Sequence, residues 1–175
     1  MTDADLAQLL RSTMHAFDAT LRATLAGDEH AAGEVLRGSG ARRGEQSAAR
    51  EAVLARTWVP GPTKAEQLEY VADLGCVGEL VDELARHVVA GGDPHALSPT
   101  NQLTVAVLLD AGGRRLRQLA DSPVGPFLQP SHLGCGKTLL EVADHGTHGG
   151  SPTAALCAGL AAVLLRATRH ASRAA

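Results

Sequence analysis

Between Leu74 and Val88 the apolar residues Leu74, Val77, Val81, Leu84 and Val88 step by three, four, three and four. Helical side chains stack at those steps, whereas strand side chains change face at every residue. The stretch therefore folds as a helix with one apolar seam, of the kind packed between antiparallel neighbours. The same period runs through nearly every long segment, and no convincing alternating strand occurs. The chain is expected to be all-α.

Leu6, Leu9, Leu10, Met14, Phe17, Leu21 and Leu25 form a stripe on a first helix, which Gly27-Asp28 breaks. A second helix starts near Glu29 and carries Ala32, Val35 and Leu36, then Ala48, Ala49, Ala52 and Val53. Its middle, Arg37 to Gly44, is poor in apolar residues, and each glycine costs a helix about 1 kcal/mol relative to alanine, so a kink or frayed stretch is expected there. Trp58-Val59-Pro60-Gly61-Pro62 is a connector, because proline removes a helical donor and restrains the residue before it. The third helix runs from about Lys64 to Val89, and Gly91-Gly92-Asp93-Pro94 marks a boundary.

Beyond it, Ser98-Pro99 reads as a cap with proline at the first helical position. The fourth helix continues through Val105, Leu108, Leu109, Leu116 and Leu119, with Gly112-Gly113 as a weak point. Residues 122–150 hold one short helical candidate, Lys137 to Ala143. Ser151-Pro152 repeats the capping signal before a last helix with Leu156, Leu160, Val163, Leu164 and Ala167 facing inward. The layout is two three-helix repeats, 1–91 and 96–175, joined in one domain, the second with a shortened middle helix.

The 175 residues, 45% hydrophobic and 20% charged, suit a globular unit able to sustain its core without metal or disulfide staples. A formal charge of -3 gives no overall pull toward nucleic acid, and with 2% aromatic residues few rings are present to stack bases. Cys76, Cys135 and Cys157 form no C-x-x-C pair and suit a reducing compartment as buried, inert thiols. The acidic start Met1-Thr2-Asp3-Ala4-Asp5 lacks signal-peptide character, and the nearly apolar stretch Ala154–Leu165 falls short of the roughly 20 residues that span a bilayer. A cytoplasmic protein without membrane insertion is expected.

Several groups invite a chemical reading. Ser131 to Thr138 ends like a phosphate-binding P-loop, but Ser131 stands where the loop needs glycine and no strand feeds it. His132, His145 and His148 with Asp144 suggest a metal cluster, although Gly146, Gly149 and Gly150 oppose a rigid helix; solvated loop histidines are the simpler account. Arg42, Arg43 and Arg50, and Arg114, Arg115 and Arg117, suit phosphate-bearing ligands or an acidic partner. Glu66, Glu69 and Asp73 share a face of the third helix, while Glu79, Asp82 and Glu83 cluster opposite its seam. Glu79 and Glu83, one turn apart, can aim two carboxylates at one cation; the bland alternative is a solvated face partly neutralised by Arg86 and His87.

Four stretches resemble the PhoU family of phosphate-signalling regulators: Leu25-Ala26-Gly27-Asp28, the proline turn before the third helix, Leu74 through Val88 with its Leu84-Ala85-Arg86-His87-Val88 ending, and Leu164 through Ala171. The resemblance implies two three-helix repeats. It also implies a non-enzymatic regulator coupling a phosphate ABC transporter ATPase to a sensor histidine kinase. A divalent or iron-type metal at one degenerate site held by Glu79 and Glu83 follows as well; separately, packed amphipathic helices make a homodimer reasonable. The family's second carboxylate pair is replaced here by Leu165 and Arg169, Val77 stands where an aspartate is expected, and Gly38 and Arg42 occupy positions that are often acidic. An arginine repels the cation a carboxylate would hold. Two alternatives remain: a diverged helical interaction protein without a phosphate role, and a small metal-dependent enzyme using the 122–150 loop.

Overall fold

The computed structural model describes residues 4–55, 64–91, 98–121, 138–144 and 151–173, and every element among them is a helix. The elements are α1 (Ala4–Ala26), α2 (Glu29–Arg37), α3 (Ser39–Ala55), α4 (Lys64–Val89), α5 (Pro99–Asp121), α6 (138–144) and α7 (Pro152–Arg173).

Local chemistry sets the helix ends. Gly27 takes φ 64, the left-handed conformation that glycine adopts without a Cβ clash, and Asp28 N donates back to Ala23 O at 3.0 Å. Asp28 then caps the next helix, its Oδ1 accepting from Ala31 N at 2.9 Å. One dipeptide thus stops α1 and starts α2. Ser98 caps α5 in the same way, Oγ accepting from Asn101 N at 3.2 Å, with Pro99 at the first helical position. Gly91, at φ 85, closes the end of α4.

Helix α1 lies beside α4 and α5, and α7 also lies beside α4 and α5, so these four long helices form a ring. On the outer side of the α1–α4 pair lie α2 and α3, which touch neither α5 nor α7. Leu74, Val77, Val81, Leu84 and Val88 are all buried, as the seam predicts. They join Phe17, Leu21, Leu108, Leu116, Leu139, Leu160 and Leu164 in one continuous apolar cluster. Buried apolar area of this kind is the main favourable term holding helices together.

The interruption expected between Arg37 and Gly44 is present, as a break rather than a frayed stretch: α2 and α3 are separated only at Gly38, which keeps right-handed dihedrals, and Arg42 N donates to Gly38 O across the break. One expectation changes: the Gly112-Gly113 pair is no weak point, because α5 is continuous through it. A Cβ on Gly112 would lie 2.6 Å from Phe17 Cζ and 3.0 Å from Leu164 Cδ1, so the missing side chain is what lets α5 close against α1 and α7. The penalty glycine exacts from an isolated helix is offset here by tertiary packing.

No helix among the described residues is long and apolar enough to cross a membrane.

Candidate functional site

Helix α4 touches α1, α2, α3 and α7, so its buried arc is much wider than the five-residue seam. That width draws Asp73 and Asp82 inside, where each meets a cation from another helix. The expectation that Asp82 shares the outward cluster with Glu79 and Glu83 is corrected: Asp82 is buried and Arg42 donates to it from α3. Both side chains are about nine-tenths covered, 11% and 9% exposed. Arg42 also donates to Val35 O at 3.0 Å, while its Nε is buried without a hydrogen-bond partner among the described residues. Burying both charges is tolerable only because each neutralises the other.

The second buried carboxylate ties the ring together. Arg166 Nε donates to Asp73 Oδ1 at 2.5 Å, and His170 Nδ1 lies 2.7 Å from Asp73 Oδ2. His170 Nε2 faces Glu69 Oε2 at 3.3 Å. The bond to Asp73 holds the Arg166 guanidinium above its ordinary range, against the smaller opposing effect of burial. The last-helix stretch that carried the family resemblance therefore packs as a polar clamp on α4. Spacing along α4 had placed Glu69 and Asp73 on one face; what it left out was the partner helix.

Glu79 and Glu83 do point outward and are exposed. They border a cleft of about 330 Å³ between α3 and α4, floored by Leu9 and Thr13 of α1 and by Leu74 of α4. Its α3 wall carries Ser39, Arg42, Arg43 and Gln46; its α4 wall carries Gly75, Gly78, Glu79, Asp82, Glu83 and Arg86. Helix α3 is held in place by Glu45, which accepts from Ser12 of α1 and from Gln8 Nε2 at 3.0 Å. Gln46 lies flat on Gly75, where a Cβ would come within 1.9 Å of its Nε2. Over Gly78 a Cβ would meet nothing within 4 Å, so the cleft stays open there.

Charge within the cleft is largely settled internally. Arg42 pairs with Asp82, and Arg86 donates to Glu83. Arg43 makes only weak contacts with Ser39, 3.3 Å to Oγ and 3.5 Å to O. Glu79 has no ion-pair partner among the described residues. Nor does any group of three or more His, Cys, Asp or Glu side chains gather to hold a metal among the described residues. Two carboxylates, one already paired with an arginine, are fewer ligands than a divalent cation ordinarily collects from a protein cage.

Among the thiols, Cys157 is buried and burial pushes it up to about 12, so it stays a thiol at neutral pH. Cys76 is half-buried. Cys135, His132, His145, His148 and Lys137 lie outside the described residues, and with them most of the P-loop-like stretch and the histidine group.

Fold and site together define an all-α helical bundle with a polar, charge-paired cleft on one flank. Compared with protein-family models, curated proteins and solved structures, the chain matches none.

Proposed function

We propose that the chain is a PhoU-like regulator of phosphate uptake and phosphate-responsive signalling, acting by binding protein partners. The observation that carries this reading is the state of Glu79 and Glu83. On a helix flanked by four others, they remain exposed one turn apart, and Glu79 has no ion-pair partner among the described residues. Exposed carboxylates contribute little to stability on their own, so such a pair is available for contacts with a basic partner surface. The partners this reading names are a phosphate ABC transporter ATPase and a sensor histidine kinase, met as a cytoplasmic protein. With too few ligands gathered in the cleft, Glu79 and Glu83 act in it as partner contacts, with a metal as a secondary role.

The test is genetic and biochemical. Deleting the gene is expected to leave phosphate-responsive genes expressed in rich phosphate, and the tagged protein is expected to co-purify with the ATPase or the kinase unless Glu79→Lys and Glu83→Lys are introduced. Genes that stay repressed in rich phosphate after deletion would refute it.

One observation favours a second reading, an interaction module that has lost the phosphate role. Arg42 places a guanidinium against Asp82, so the positive charge in the cleft is built into the chain. In that case deletion leaves phosphate-responsive genes unchanged while co-purification returns another partner.

A further inference from the structure

The cleft between α3 and α4 holds two charges of opposite sign that its own pairs do not neutralise. On the α3 wall stands Arg43, with only long contacts to Ser39; on the α4 wall stands Glu79, with no ion-pair partner among the described residues. The two are not paired with each other although both line the same space. Between them Gly78 leaves the helix backbone open, since a Cβ there would meet nothing within 4 Å. The volume, about 330 Å³, is at the lower end of the range that takes small organic ligands.

These features select a ligand by charge. A free oxyanion attracted to Arg43 meets the carboxylates of Glu79 and Glu83 in the same cleft, and a simple cation attracted to Glu79 meets Arg43 and Arg86. Like charges lining one small cleft repel by amounts of the same order as an opposite pair gains there. A molecule bearing both signs at its two ends gains on both walls and is repelled on neither. The geometry points to a binding site for a small zwitterion of the amino-acid type, its carboxylate on Arg43 and its ammonium group on Glu79, with its aliphatic middle over Gly78. Because Arg43 and Glu79 stand out of ion-pair reach of each other, a zwitterion with its charges on separate ends of a short chain, as in an ω-amino acid, is the ligand to probe. This site shares Glu79 with the partner contact proposed above but is read out separately, by ligand titration rather than by co-purification and phosphate response.

γ-Aminobutyrate is the probe, with butyrate and butylammonium as isosteres that each keep one charge. Titrated into the full ¹⁵N-labelled chain, γ-aminobutyrate is expected to shift the Gly78 amide at low millimolar concentration. Each single-charge isostere is expected to bind about tenfold more weakly or worse, the factor that about 1.4 kcal/mol represents. Arg43→Gln and Glu79→Gln, both at exposed positions, are expected to lose the γ-aminobutyrate response while keeping the amide spectrum of the folded chain. Butyrate or butylammonium binding as well as γ-aminobutyrate would overturn the assignment. So would variants that bind like the wild type, or no Gly78 shift with any ω-amino acid of three to six carbons up to roughly 50 mM, well beyond the concentration at which a specific site of even 1 mM affinity saturates.

Discussion

Replacing Arg42 by methionine removes a guanidinium from a place where water scarcely reaches. The Arg42 and Asp82 side chains are 11% and 9% exposed, and Asp82 accepts from no other side chain among the described residues. Asp82 would then stand as a buried carboxylate without its counter-charge, a loss of about 3–5 kcal/mol. Against a total stability of about 5–15 kcal/mol this is a large share. With a urea slope of about 2 kcal/mol/M, the unfolding midpoint should fall by about 2 M. Asp82→Leu alone leaves Arg42 buried and unpaired and should cost a similar amount. The double variant Arg42→Met with Asp82→Leu replaces the pair by apolar groups of comparable size, and should lie within about 1–2 kcal/mol of the wild type. Urea unfolding of the four proteins measures the cycle. A loss below about 1 kcal/mol for Arg42→Met, the value of an exposed pair, would show that the ion pair is solvated and that α3 does not seat against α4 as described. Additive single losses in the double variant would refute the coupling itself.

Gly112→Ala should destabilise by about 1–3 kcal/mol despite alanine's better helix propensity, because the added methyl falls 2.6 Å from Phe17 Cζ; a thermal melt no lower than the wild type's would show that α5 crosses α1 less closely. Asp73→Asn weakens the bonds from Arg166 and His170 and should cost about 2 kcal/mol, discounted for the half-exposed Arg166, with amide exchange rising first in α7; unchanged exchange there would remove the clamp. Cys157 should resist iodoacetamide at pH 8 until the chain unfolds. Its folded value near 12 lies above the ordinary 9.0, so the thiol's contribution to stability is intact below pH 9 and is lost as the pH rises toward 12; modification of folded Cys157 at pH 8 would contradict its burial.

The all-helical class and most helix boundaries were legible because they depend on neighbours in sequence. Gly27-Asp28, Ser98-Pro99 and Ser151-Pro152 act through hydrogen bonds and dihedrals within a few residues, and all three mark the starts of helices. The Leu74–Val88 seam is likewise a one-helix property. The outward placement of Glu79 and Glu83 followed from the same wheel. Asp82 was misplaced because the wheel of α4 assumes one buried face, whereas α2 and α3 cover a second. Gly75, seven residues before Asp82, was the signal for that second contact face: a helical position without a Cβ admits a neighbour closely, here Gln46 of α3.

What the sequence determined by itself is thus the set of rods, their ends and the apolar stripe on each. Only the tertiary structure decided which charges meet: Arg42 with Asp82 across 40 residues, Arg166 with Asp73 across 93, and His170 with Asp73 across 97. Helical period orders side chains around one axis and carries no information about which face of a distant helix will lie against them. Pairing is settled only when the ring closes, since a buried carboxylate must find its cation at that moment or remain at the cost of an uncompensated charge.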